Sequence, residues 1–226
     1  VGILDVDIHG PSIPTMLDLE GGVILSHEGM LLPIVTKDYS GLKVMSIGFM
    51  LDKSDHPIIW RGPMKTSMIS QFVNSVIWGE LDYLIIDCPP GTGDELLSVV
   101  QMFTESIYSV VVTTPQKVAE VDVKKVINFC KQMNLPMLGI IENMSGFFCE
   151  NCQHKNAIFS EKAGKKLAED YQIEFLGSIP LESALCSCGD SGTPFVVAKQ
   201  RSVANEEFDR ISNKILSKVN NKEMEA

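Results

Sequence analysis

The chain has 226 residues, 45% of them hydrophobic, with 19 Lys+Arg against 29 Asp+Glu and a formal net charge of −10. That apolar content supports one substantial core, read as a single domain over residues 1–226. The acidic balance argues against non-specific nucleic-acid binding, no apolar run reaches the length of a membrane span, and no secretory pattern opens the chain.

The first segment, "VGILDVD", reads as a strand, and the chain opens inside it without a methionine. The natural N-terminus, with any targeting signal, is therefore expected upstream. The run ends in Asp5 and Asp7, before a Gly-Pro break. Two acids spaced by two lie on one face of a strand. Such a pair can orient a water for attack on a phosphate or help to hold a metal. A plain turn would use the same aspartates for local hydrogen bonds.

Residues 21–60 break into short apolar runs ("GVIL", "MLLPIV", "LKVMSIGFML") split by Gly, Pro and Asp, which predicts a short-strand antiparallel insertion or edge excursion. In residues 64–77, Met64, Met68, Ile69, Phe72, Val73, Val76 and Ile77 recur at three- and four-residue steps, predicting a helix with one buried face. "DYLIID" follows as a strand. Its core, Leu84-Ile85-Ile86, has the length and composition of a strand covered on both faces of a parallel sheet. "SIYSVVVTT", "MLGIIEN" and "EFLGSIP" are further strands. Val118, Val121, Val126, Ile127, Cys130 and Met133 mark a helix over 117–133, and Val203, Phe208, Ile211, Ile215 and Val219 a last one. The polar tail "NNKEMEA" is expected to fray. Strand–helix–strand alternation gives the fold class: α/β, three layers, a mostly parallel sheet with helices on both faces.

"IDCPPGTGDE" places Asp87 at the carboxyl end of its strand, where open α/β sheets put their ligands. A carboxylate there suits Mg²⁺, which prefers hard oxygen ligands and keeps several waters. The glycines that follow permit close backbone approach, so that the Gly91 N–H can donate to a terminal phosphate, and Pro89 and Pro90 stiffen the turn. The plainer reading is an ordinary strand-to-helix loop with Asp94 as the helix N-cap.

Six cysteines in a chain of this size are too few for a disulfide scaffold and fit a reduced, intracellular setting. Cys149 and Cys152 form a C-x-x-C pair between "FF" and "QHKN", a loop-like context able to bring two sulfurs to one metal. Two thiolates are half of what a [4Fe–4S] cluster or a Cys₄ zinc site needs. The rest can come from a second copy of the pair in a dimer, from Cys186 and Cys188 of the same chain, or from His154 in a zinc site. Cys88 and Cys130 read as packing residues, and the 11 methionines as core filler. His9 reads as a surface turn residue. Arg61 fits an anion contact or a structural salt bridge.

"WGELDYLIIDCPPGTGDE" resembles the signature of the Mrp/ApbC/Nbp family of iron–sulfur cluster carrier ATPases, deviant-Walker-A P-loop NTPases related to MinD, ParA and the nitrogenase iron protein. "DVDIHGPSIPTML" is similar to the family's switch I. "WRGPMKTSMISQF" is similar to the segment leading into Walker B, and "ENMSGFFCENC" to the segment carrying the cluster cysteines. The resemblance covers essentially the whole chain. It implies that Asp7 orients the attacking water with Asp5 beside it, that Asp87 supports Mg²⁺ through water, and that Gly91 contacts the γ-phosphate of ATP. Asn143 would read the adenine edge, and Cys149 and Cys152 of two protomers would hold the cluster. The family's Gly-rich loop with its lysines should lie about one βα unit before Asp7, and no GKS or GKT occurs in these residues. The 226 residues alone are thus expected to bind nucleotide weakly and not to hydrolyse it at a useful rate.

The function these readings imply is a cytoplasmic carrier that receives a [4Fe–4S] cluster, holds it in a homodimer and passes it to apo iron–sulfur proteins, under conformational control by ATP. The alternatives are a MinD/ParA-like positioning ATPase, disfavoured by the absence of a membrane-targeting amphipathic tail, and an inactive binding module with structural zinc.

Overall fold

A computed structural model describes residues 1–37, 39, 41–50, 62–103, 107–148, 154–159, 162–198 and 201–225. The chain divides into two compact units, Val1–Glu105 with Gly189–Thr193, and Ser106–Cys188 with Pro194–Ala226.

In the first unit, β1 (Gly2–Asp5) leads to the short helix α1 (Ile13–Met16), the antiparallel hairpin β2 (Leu25–His27) and β3 (Met30–Leu32), then β4 (Ile34–Val35) and β5 (Lys43–Ser46). After them come α2 (Gly62–Ser75), β6 (Leu84–Asp87) and α3 (Asp94–Met102). The sheet order is β4-β5-β1-β6. β1 is parallel to both neighbours, and only the two-residue β4 runs antiparallel, against β5. Within residues 21–60, then, the hairpin and β4 are antiparallel, whereas Lys43–Ser46 is a parallel partner of β1. Residues 51–61 lie outside the described set.

Leu4, Val6, Ile8, Val44, Met45 and Ile47 are buried in this unit, together with Ile69, Phe72 and Val76 from the α2 segment. The expected apolar face of that helix is therefore narrower than its sequence pattern: Met64 and Ile77 are 56% and 39% exposed. β6 also departs from expectation. Pleating sends Ile85 to the opposite face from Leu84 and Ile86, and Ile85 is 56% exposed, so this strand is not covered on both sides.

The second unit holds β7 (Ser109–Thr113), α4 (Lys117–Gln132), β8 (Met137–Glu142), the short pair β9 (Phe147–Phe148) and β10 (Lys155–Asn156), α5 (Ala163–Tyr171), β11 (Phe175–Ser178), α6 (Ser183–Asp190) and α7 (Val203–Glu225). The sheet order is β11-β8-β7, all parallel. Here β8 is the strand buried on both faces. Ile140 joins Val111, Val123, Ile127, Leu167 and Ala168 on one side, and Ile141 joins Leu176, Ile179, Cys188, Phe195, Ala204 and Ile211 on the other.

α4 is rotated relative to its sequence pattern. Val123, Ile127 and Cys130 are buried, while Val118 and Val121 are 80% and 56% exposed. Both exposed valines belong to the first turns, before the helix settles on the sheet. α7 buries Ala204, Ile211 and Val219 and continues helical to Glu225, past the point where fraying is expected.

Truncating Ile127, fully buried, to Ala should cost about 2–5 kcal/mol. Truncating Val118 should stay within about 0.5 kcal/mol. Chemical unfolding of the two variants beside the parent checks the difference.

Candidate functional site

The parallel register of the first sheet brings its polar residues together. Asp5 is the Cα partner of Ser46 on one side and of Asp87 on the other, so three polar side chains share one level at the carboxyl ends of three adjacent strands. The Val6 amide donates to the Asp87 carbonyl at 2.9 Å, which carries the pairing past the last strand residue.

The two leading aspartates are not on one strand face, because β1 ends at Asp5. The chain turns there, and the Asp7 amide donates to Asp5 Oδ1 at 3.1 Å. Asp5 is fully buried, and its Oδ2 accepts from the Ser46 hydroxyl at 2.7 Å. Asp7 closes the next turn by accepting from the His9 and Gly10 amides, at 3.0 and 3.1 Å. The local hydrogen-bonding habit of aspartate thus shapes the loop, and the buried Asp5 anchors the half-buried Asp7.

Burial pushes the Asp5 carboxyl up to about 6, against the Ser46 and Asp7 hydrogen bonds and with help from the charges of Asp87 and Asp7. Asp87 is raised as well, by burial and then by Asp7. Among the described residues no basic side chain pairs with Asp5, Asp7 or Asp87, and nothing hydrogen-bonds the Asp87 carboxylate. A cluster of hard oxygens short of positive charge fits a divalent cation. No three His, Cys, Asp or Glu side chains among the described residues are placed to ligate one metal directly. Cys88 is pushed up to about 12 by burial, then by Asp87 and Asp7, so it stays a neutral thiol.

The loop after Asp87 depends on its glycines. Gly91 has φ +95°, a conformation that side chains avoid. Gly93, not Asp94, is the N-cap of α3, with extended backbone and no side-chain cap. A Cβ on Gly93 would stand 2.6 Å from Glu95 Oε2, so the Glu95 carboxylate folds back over the glycine. Ser46, Glu95 and Lys65 escape sequence reading. The signal for Ser46 is a polar residue ending the apolar run of β5, and that run is short.

In the second unit, β8 ends in a buried carboxylate of its own. Glu142 accepts from the Ser145 hydroxyl at 2.5 Å and from the Gly164 amide, near the start of α5, at 2.6 Å. Next to it, Asn143 donates its amide to the Thr113 carbonyl at 2.7 Å, and its side-chain oxygen accepts from the Met144 amide at 2.8 Å. β9 and β10 pair antiparallel, Phe148 opposite Lys155. Cys149 and Cys152 lie outside the described residues. Cys186 and Cys188 fall two apart on α6, where side chains diverge. Cys188 is buried in the core and Cys186 exposed, so they do not form a chelating pair.

Parallel strands whose acidic ends meet at one edge define an α/β domain of the kind that takes its ligand at the carboxyl ends of its strands. Residues 1–216 match the ParA family model described as NUBPL iron-transfer P-loop NTPase. The chain is 47% identical over 222 residues to the iron-sulfur cluster carrier protein of Methanocaldococcus jannaschii, covering 98% of this chain and 75% of that one. It is 42% identical over 230 residues to the cytosolic Fe-S cluster assembly factor CFD1 of Kluyveromyces lactis, covering 100% and 81%. Among solved structures, it resembles the nucleotide-binding protein of Archaeoglobus fulgidus in complex with ADP, at 39% identity and TM-score 0.74, over 92% of this chain and 78% of that one. The MinD cell division ATPase of Pyrococcus furiosus, at 18% identity and TM-score 0.60 over 96% and 85%, shares the fold. This chain belongs to the NUBPL-type iron-transfer P-loop NTPases. No helix among the described residues is long and apolar enough to cross a membrane.

In metal-free protein, the raised Asp5 keeps its proton in the folded state up to about pH 6, whereas the unfolded chain releases it near the ordinary value of 3.8. Across that window the folded state binds more protons, so stability falls as pH rises, by an amount on the order of 2–3 kcal/mol from Asp5. Asp5→Asn should flatten that part of the slope, as read by denaturation midpoints in EDTA from pH 4 to 7.

Proposed function

We propose that this protein is a cytoplasmic iron–sulfur cluster carrier. Two protomers hold a [4Fe–4S] cluster between their Cys149 and Cys152 pairs and pass it to apo iron–sulfur proteins, while ATP with Mg²⁺ at the acidic strand ends governs the conformation. The observation that carries the proposal is near-full-length identity, 42–47%, to proteins named as cluster carriers and assembly factors. The geometry of the first unit supports the nucleotide half of it.

Within that half, Asp87 is the acid open to a hydrated Mg²⁺, Gly91 offers its amide to the γ-phosphate, and Asp7 orients water. Asp5, buried and bonded to Ser46, fixes the turn that carries Asp7. When bound, the cation would supply positive charge to the phosphate oxygens. The cluster is cargo. Its thiolate ligands come from a segment flanked by the paired strands β9 and β10, and the divergence of Cys186 and Cys188 favours a second protomer as the source of the other two sulfurs. Zinc in place of the cluster is the competing occupant of the same thiolates.

Anaerobic reconstitution with iron and sulfide should give a brown dimer holding about four iron atoms per two chains. Cys149→Ser/Cys152→Ser should abolish the colour and Cys186→Ser should retain it. A colourless protein with stoichiometric zinc, or colour that survives the double substitution, contradicts the proposal.

A further inference from the structure

Lys65, on the first turn of α2, sits between two loops that sequence reading treats separately. Its ammonium lies 2.8 Å from Glu95 Oε1 and 2.7 Å from His9 Nε2. Glu95 is 6% exposed and belongs to the first turn of α3, directly after the loop of Asp87, Gly91 and Gly93. Its other oxygen lies against Gly93. His9 stands two residues beyond Asp7, whose carboxylate accepts from the His9 amide. One ammonium thus reaches the loop after β1 through His9 and the loop after β6 through Glu95.

The electrostatics favour this arrangement. The Glu95 carboxyl is penalised by burial, yet the Lys65 hydrogen bond, its own backbone amide and the charges of Lys65 and His9 together hold it below the usual carboxylate range. A buried carboxylate in this state needs its cation, and removing one member of such a pair leaves a charge without compensation. Lys65 is 17% exposed at its side chain, so the pair is shielded from the screening that weakens surface ion pairs. His9 is more open, at 63%, with its Nε2 2.7 Å from the ammonium.

We propose that Lys65 is a positioning residue that yokes the two acidic loops, so that Asp7 and the Gly91 amide keep a fixed register and release together when the ammonium leaves. The loops' significance rests on reading Asp5, Asp7 and Asp87 as the metal–nucleotide centre, but the yoke itself is independent of it.

Segment-resolved amide hydrogen exchange on the full chain tests the yoke. Lys65→Met should raise exchange in both 7–12 and 88–97 by about tenfold or more, and Lys65→Arg should restore most of the protection. His9→Ala should loosen 7–12 alone. If Lys65→Met loosens only α2, or Arg fails to rescue, or His9→Ala loosens both loops as much as Lys65→Met does, the yoke is overturned. Mn²⁺ binding without nucleotide, measured on the same samples, separates the two readings. If the variants show the exchange pattern and the parent binds no Mn²⁺, or binds it undiminished after Asp87→Asn, the yoke stands and the acidic strand ends are refuted as the metal centre.

Discussion

Everything in the first unit follows from one register: β1 pairs in parallel with β5 and β6 so that Asp5 stands level with Ser46 and Asp87. Parallel strands end together, and the polar residues that end them meet at one edge. The cost is electrostatic. Burial drives Asp5 and Asp87 towards their neutral forms, and the Asp7 charge makes both harder to ionise. Ser46 and the Asp7 amide offset part of that cost for Asp5. Among the described residues no hydrogen bond offsets it for the Asp87 carboxylate.

The second unit repeats the theme with a different outcome. Glu142 also ends a central parallel strand and is buried, but its oxygens are satisfied by the Ser145 hydroxyl and an amide at the start of α5. This acid is spent on architecture. It fixes residues 142–145, from which the chain runs into β9 and on towards the C-x-x-C segment. The contrast between Asp87 and Glu142 shows that position at a strand end does not by itself make a site; what matters is whether the fold supplies the carboxylate with partners.

Much of this was legible in the sequence. Parallel strands ending in Asp5 and Asp87 stand out because each is an apolar run closed by an acid, and the alternation with helices implies the fold class, whereas the buried Glu142 inside "MLGIIEN" does not stand out. Legibility failed where a pattern depends on neighbours. Val118, Val121, Met64 and Ile77 fit a helical stripe but fall where no partner covers them, and Ile85 looks like the middle of a doubly covered strand while one face is open. Ser46, Lys65 and Glu95 acquire their roles from elements distant in the chain, which periodicity does not reveal. The Asp5–Asp7 pair was misplaced on one strand face because the strand stops one residue earlier than its apolar pattern.

The most direct measurement is the number of protons displaced when Mn²⁺ binds in the presence of ATP, from calorimetry at pH 6 in buffers of differing ionisation enthalpy. Asp5, whose carboxyl burial pushes up to about 6, must give up its proton as the cation arrives, so the account predicts net release beyond that of Mn²⁺ binding to ATP alone, an excess that disappears when Asp5 is replaced by asparagine. Binding with no release beyond that of ATP and Mn²⁺ alone, or an excess unchanged in Asp5→Asn, would contradict it.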